Sequence, residues 1–279
     1  PLGLMMYLWL AEIADRLAFA GKERAGLEYV VALRRVLEPL ALASPDVAAA
    51  ARGVDVVDVS LGAELQAADA WQKLRQKLTD PSAGKAARIA ATVQLIGHVG
   101  DTSNLILDPD LDTYYLMDAT VILLPALVAQ LSTIEDRVSS APSASAQADL
   151  LAALVVARTV RDAIARGHGV AFRANPRLVT TLESHLKASG AAVDALASVL
   201  EDADRGRTSA QVSDRSAAAL RAAFAHHEAA AVALEGLLAA RMGRLASRRT
   251  SLLLIVAAAI TLVAYLWAAF YGAVVRAVV

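Results

Sequence analysis

Between Gly100 and Asp118 the chain reads Gly-Asp-Thr-Ser-Asn-Leu-Ile-Leu-Asp-Pro-Asp-Leu-Asp-Thr-Tyr-Tyr-Leu-Met-Asp, a concentration of polar groups in a sequence otherwise rich in Ala and Leu. The carboxylates of Asp101, Asp108, Asp110, Asp112 and Asp118, with the Asn104 amide and the Tyr114 and Tyr115 rings, have the chemistry to hold an amine or a cation. Asp108 to Asp112 has the alternating acids that open a calcium loop. Thr113 then stands at the glycine position and Ala119 at the bidentate glutamate position, so an EF-hand is not supported. His98 lies a turn from Asp101, yet no nucleophile or second base accompanies them, and acid–base catalysis is not expected. Arg24 and Tyr29, far upstream, complete the candidate ligand-binding set; Arg24 would favour an anion, so the sign of the ligand stays open.

These groups need helices to position them. Asp108 can accept bonds from unpaired N–H groups, Pro109 suits a first helical position, and Asp110 and Asp112 complement the positive end of a helix dipole. Leu111, Tyr115, Asp118 and Ile122 then share one face, which puts Asp118 where an apolar residue is expected. Arg24 likewise interrupts an apolar seam of Leu10, Leu17 and Val31. A buried charge must be paired or touch a ligand, so Arg24 is expected to meet a carboxylate such as Asp118 or Glu23, or else a ligand.

The run GDTSNLILDPDLDTYYLMD, with KERAGLEY at 22–29, resembles an all-helical extracytoplasmic sensor region of bacterial transmembrane receptors. Such regions occur in chemoreceptors, sensor histidine kinases and some diguanylate cyclases. The resemblance covers roughly 16–205. It implies reception of a small-molecule signal outside the membrane by a homodimer, and a cytoplasmic signalling module in the parent chain.

Composition agrees with helices. Apolar residues make up 57% of 279 while aromatics make up 5%, which favours Ala/Leu helix packing over a β core. A net charge of −1 with dispersed Lys and Arg offers no nucleic-acid footprint. Without Cys there are no disulfides or thiolate sites, and no motif calls for a cofactor or a metal.

Along the chain, 1–3 reads as a cloning remnant and 4–10 as the tail of a first membrane helix. A helix is expected to about Leu42, interrupted from Pro39, with others over about 46–78 and 85–107. A fourth reaches Val138, and Pro125 should kink it or leave an unbonded carbonyl. Further helices are expected over about 144–172 and 176–203, the latter capped by Asn175. His168 and His185 lack ligand-spaced partners and read as surface or structural residues. The last helix, from near Ser209, carries Leu220, Phe224, His227, Ala231, Leu234 and Leu238 along a seam.

Residues 251–275 are almost wholly apolar and long enough to cross a bilayer, and 276–279 would begin a cytoplasmic linker. The expected fold is all-α: an elongated antiparallel bundle, two stacked four-helix-type modules over 11–250, continuous with the transmembrane helix. Arg241, Arg244, Arg248 and Arg249 precede the span and only Arg276 follows, which by charge alone places the large domain in the cytoplasm. The resemblance implies the opposite, with the domain periplasmic and the span in the inner membrane, and that orientation is adopted. The competing reading is a membrane-anchored helical scaffold with no small ligand.

Overall fold

The computed structural model describes residues 2–107, 110–138, 144–201 and 209–278. Among these the protein is all-α, without strands. The elements are α1 (Leu2–Ala41), α2 (Val47–Leu61), α3 (Ala68–Thr79), α4 (Lys85–Thr102), a 3-10 turn (Leu105–Leu107), α5 (Leu111–Met117), a π-helical turn (Asp118–Leu123), α6 (Leu124–Val138), α7 (Ala144–Ala174), α8 (Arg177–Glu201) and α9 (Ser209–Val278). They divide into two units, 22–238 and the pair of segments 1–21 and 239–279.

The larger unit is a helical bundle around one apolar core that includes Leu27, Tyr29, Trp71, Leu116, Leu154, Leu196, Phe224 and Leu238. α6 and α5 pack on α7, α7 on α8, α4 on α6, and α3 on α2 and α4. α1 and α9 run antiparallel here, because Arg24 pairs with Glu235 and Arg34 with Glu228. Burying a Leu-sized side chain contributes about 1.5–3 kcal/mol, so this apolar core supplies most of the driving force.

Several expected boundaries move. α1 continues through Pro39 to Ala41, since a proline two residues from a helix end disturbs only the last turn. The single helix expected over 46–78 is two, α2 and α3. Gly62 ends the first, its carbonyl accepts the Ala67 N–H, and Gln66 takes a positive φ of 53°. Ser44 donates to the Asp46 carboxylate at 2.7 Å, and Asp46 takes the N-cap position of α2.

Pro125 produces neither a simple kink nor a break. The chain widens into the π turn just before it, and the Leu124 N–H bonds to the Ala119 carbonyl. With that donor displaced by one residue, and with no N–H on Pro125, the Thr120 carbonyl has no donor within its own helix.

The smaller unit contains the start of α1 and the end of α9. Leu254, Ile255, Ile260, Leu262, Val263, Leu266 and Phe270 are exposed along α9, and Trp267 stacks on Tyr271 with ring centroids 5.7 Å apart. The Thr261 hydroxyl donates to its own helix, to the Ala257 carbonyl at 2.8 Å. Among the described residues, two helical stretches are apolar enough by length and composition to cross a membrane. Leu111–Val138 is mostly buried inside the protein, whereas the apolar window within Ala210–Val274 is not buried at all.

Candidate functional site

The two runs that carry the resemblance come together. Gly26, in KERAGLEY, lies directly against Ser103 of the second run, so close that any Cβ at position 26 would overlap the Ser103 side chain. One turn earlier on the same face, Glu23 is fully buried. Gly100 allows a second crossing, where a Cβ would come within 2.6 Å of the Val121 side chain on the π turn.

Most of the predicted ligand residues serve this scaffold. Arg24 bonds the Glu235 carboxylate on α9 through Nε at 2.9 Å and through its terminal nitrogen. That bond, above all, holds the guanidinium in its charged form. Tyr29 is fully buried and donates to Asp58 on α2 at 2.7 Å. Burial first, and then the Asp58 carboxylate, push its ionisation upward.

Asn104 adopts φ 63°, a conformation Asn tolerates better than most residues, and its carbonyl accepts the Leu107 N–H as α4 gives way to the 3-10 turn. His98 does not engage Asp101 or Asn104; its Nε2 contacts the Gln66 carbonyl at 2.8 Å. Asp101 is exposed.

Asp108 and Pro109 lie outside the described residues. α5 starts at Leu111 with Asp110 at its N-cap, two residues later than expected, and the exposed Asp110 accepts the Tyr114 N–H on its backbone carbonyl. Asp112 accepts the Thr113 N–H at 3.0 Å and the Asn175 amide at 3.0 Å. Asn175 therefore ties the α7–α8 junction to α5, in place of the capping role expected of its side chain. Tyr115 packs against Gly167 of α7 and meets the half-exposed Tyr114 edge-to-face at 5.2 Å. Asp118 begins the π turn, half-buried, and burial raises its carboxyl above the usual range. Among the described residues the acids do not converge into a metal-binding group.

The sequence reading missed a buried polar layer. His226, His227 and Glu228 are consecutive on α9, and residues about 100° apart around a helix must face three directions. His226 faces α7 and α8: its Nε2 lies 3.1 Å from Nε2 of His168, and its Nδ1 lies 2.9 Å from the Ser189 hydroxyl. His227 turns toward the Thr120 carbonyl that the π turn frees, although neither ring nitrogen reaches normal hydrogen-bond geometry. Glu228 pairs with the buried Arg34 of α1 at 2.7 Å, and Arg34 also holds Glu38 at 2.9 Å. Four other elements thus meet one turn of α9.

Desolvation sets the charge state of the layer. Burial lowers His168 to about 4, and burial with the neighbouring histidines lowers His226 to about 3. Burial and the Arg34 charge lower His227 to about 3. All three rings are neutral near pH 7. Between the facing Nε2 atoms one must donate and the other accept, so His168 and His226 hold complementary tautomers. Ser189 and His226 have the contact of a nucleophile and a base, but both are sealed in the core, where their effect is to join α8 to α9.

Comparison with protein-family models, with curated proteins and with solved structures finds no match.

Proposed function

We propose that the chain is the ligand-sensing extracytoplasmic and transmembrane portion of a bacterial signal-transduction receptor, working as a homodimer in the inner membrane. The observation that carries this reading is that one helix, α9, bears both the polar turn His226–Glu228 and the exposed apolar run of membrane-crossing length. A ligand bound beside the 100–118 run would act on the same α4, π-turn and α7 contacts to which that polar turn is joined. Ligands shift such equilibria only by their differential affinity for two packings, and buried polar groups favour discrete packings over graded ones. The displacement of α9 would then pass to a cytoplasmic module of the parent chain.

A thermal-shift screen of the full chain in detergent tests this, using amino acids, carboxylates, nitrate, amines and divalent cations. A ligand at a hundred times its dissociation constant adds about 2.7 kcal/mol of stability. A flat response from a well-folded sample would support the second reading, a membrane-anchored helical scaffold. That reading draws on the internal pairing of Arg24 with Glu235 and Tyr29 with Asp58, which leaves both residues bound within the protein.

A further inference from the structure

Several arginines of the larger unit pair with carboxylates: Arg24 with Glu235, Arg34 with Glu38 and Glu228, Arg75 with Asp55, Arg137 with Asp149, and Arg161 with Asp194. Arg244, Arg248 and Arg249 are exposed, no ion pair reaches them among the described residues, and no Asp or Glu follows Glu235 in the chain. Immediately beyond them the helix becomes apolar and stays exposed.

Arg244 and Arg248 are four residues apart and share a face, with Arg249 beside them. The three span about 7.5 Å along the axis. A bilayer is about 40–45 Å thick with its headgroups and about 30 Å without them, so one headgroup layer is about 5–8 Å deep. The arginine band therefore matches the depth of one headgroup layer and abuts an apolar segment suited to the hydrocarbon. Guanidinium groups donate in a fork that fits phosphate oxygens.

We propose that Arg244, Arg248 and Arg249 form a collar that selects anionic phospholipid headgroups around α9. The proposal rests on the reading that 251–275 crosses the bilayer. Each basic residue at such a surface is worth about 1 kcal/mol, or roughly fivefold in association.

The test reconstitutes the full chain into phosphatidylcholine vesicles carrying spin-labelled phosphatidylglycerol or spin-labelled phosphatidylcholine, and reads the motionally restricted fraction of each. The wild-type chain should restrict the anionic label severalfold more than the zwitterionic one. Arg244→Gln/Arg248→Gln/Arg249→Gln should bring the ratio close to one, while the triple Lys variant keeps most of the preference. An equal ratio for the wild-type chain, or a preference that survives the triple Gln change, overturns the collar. So does loss of preference in millimolar inorganic phosphate but not in sodium chloride of equal ionic strength, which would make free phosphate the ligand. If neither label is restricted, the helix is not in the bilayer, and the membrane reading falls together with the collar.

Discussion

His168 of α7 and His226 of α9 face each other Nε2 to Nε2 at 3.1 Å, with both rings closed off from solvent. In the unfolded chain both rings would titrate near 6.5, whereas in the folded protein they and His227 titrate at about 3 to 4. The unfolded state therefore binds more protons between those values, and stability falls as pH drops below about 6.5. Urea unfolding at pH 7 and pH 5 should differ by about 2 kcal/mol per histidine. Equal midpoints at the two pH values would mean that the rings are protonated in the folded state.

Replacing one ring should change both the stability and its pH dependence. His226→Leu leaves the Ser189 hydroxyl and His168 Nε2 without their shared partner, a loss of about 1–3 kcal/mol at pH 7. It also removes one of the groups that take up protons on unfolding, so the slope of stability against pH between 4 and 6.5 should become shallower. An unchanged slope would show that His226 does not contribute to it.

The crossing at Gly26 admits no side chain. Gly26→Ala forces a methyl group into Ser103 and should cost about 1–3 kcal/mol by overpacking. Ser103→Gly in the same chain should recover much of that loss, and a double-mutant cycle by thermal melting measures the coupling. Additive effects would place the strain somewhere other than this contact.

Two arginines on α1 should respond very differently. The Arg34 side chain is only 10% exposed and binds two glutamates, so Arg34→Ala should destabilise by about 2–4 kcal/mol, less than for a fully buried pair because Glu228 is half-exposed. Arg24 and Glu235 are each 41% exposed, and Arg24→Ala should cost about 1 kcal/mol or less. A large loss at position 24 would show that this exposed pair contributes far more than its surroundings imply.

Asp118 is the reverse case, a carboxyl whose folded pKa is raised by burial. Its charged form is disfavoured in the folded state, so around this group stability rises as pH falls toward the ordinary carboxylate range. Asp118→Asn should stabilise the protein at pH 7 by a few tenths to about 1 kcal/mol, read as a higher melting temperature. A lower one would indicate that the charged carboxylate is held by a favourable contact.

The helical class was legible because apolar spacing alone prescribes it, and the start of the last helix at Ser209 was marked by the seam beyond it. Element ends were harder. Pro39 looked like a stop, yet the helix runs two residues past it to Ala41. The polar layer was hidden for a different reason. His227 was read simply as one position of the seam of the last helix, while His168, His226 and Ser189 come from three helices with no sequence spacing to connect them. The adjacent pair His226-His227, followed by Glu228 on a helix otherwise crowded with alanine, was the available signal. The partner of Arg24 was unreadable for the same reason, since Glu235 is 211 residues away.

The wide turn ahead of Pro125 has a consequence for motion. It holds one residue more than an ordinary turn, which is a rotation of about 100° stored at a fixed point in the rod. If the surplus residue were absorbed or passed along, every side chain on one side of it would swing to a new bearing while the ends of the segment barely advanced. The imino ring, with no N–H to close an ordinary turn, holds that surplus beside Thr120.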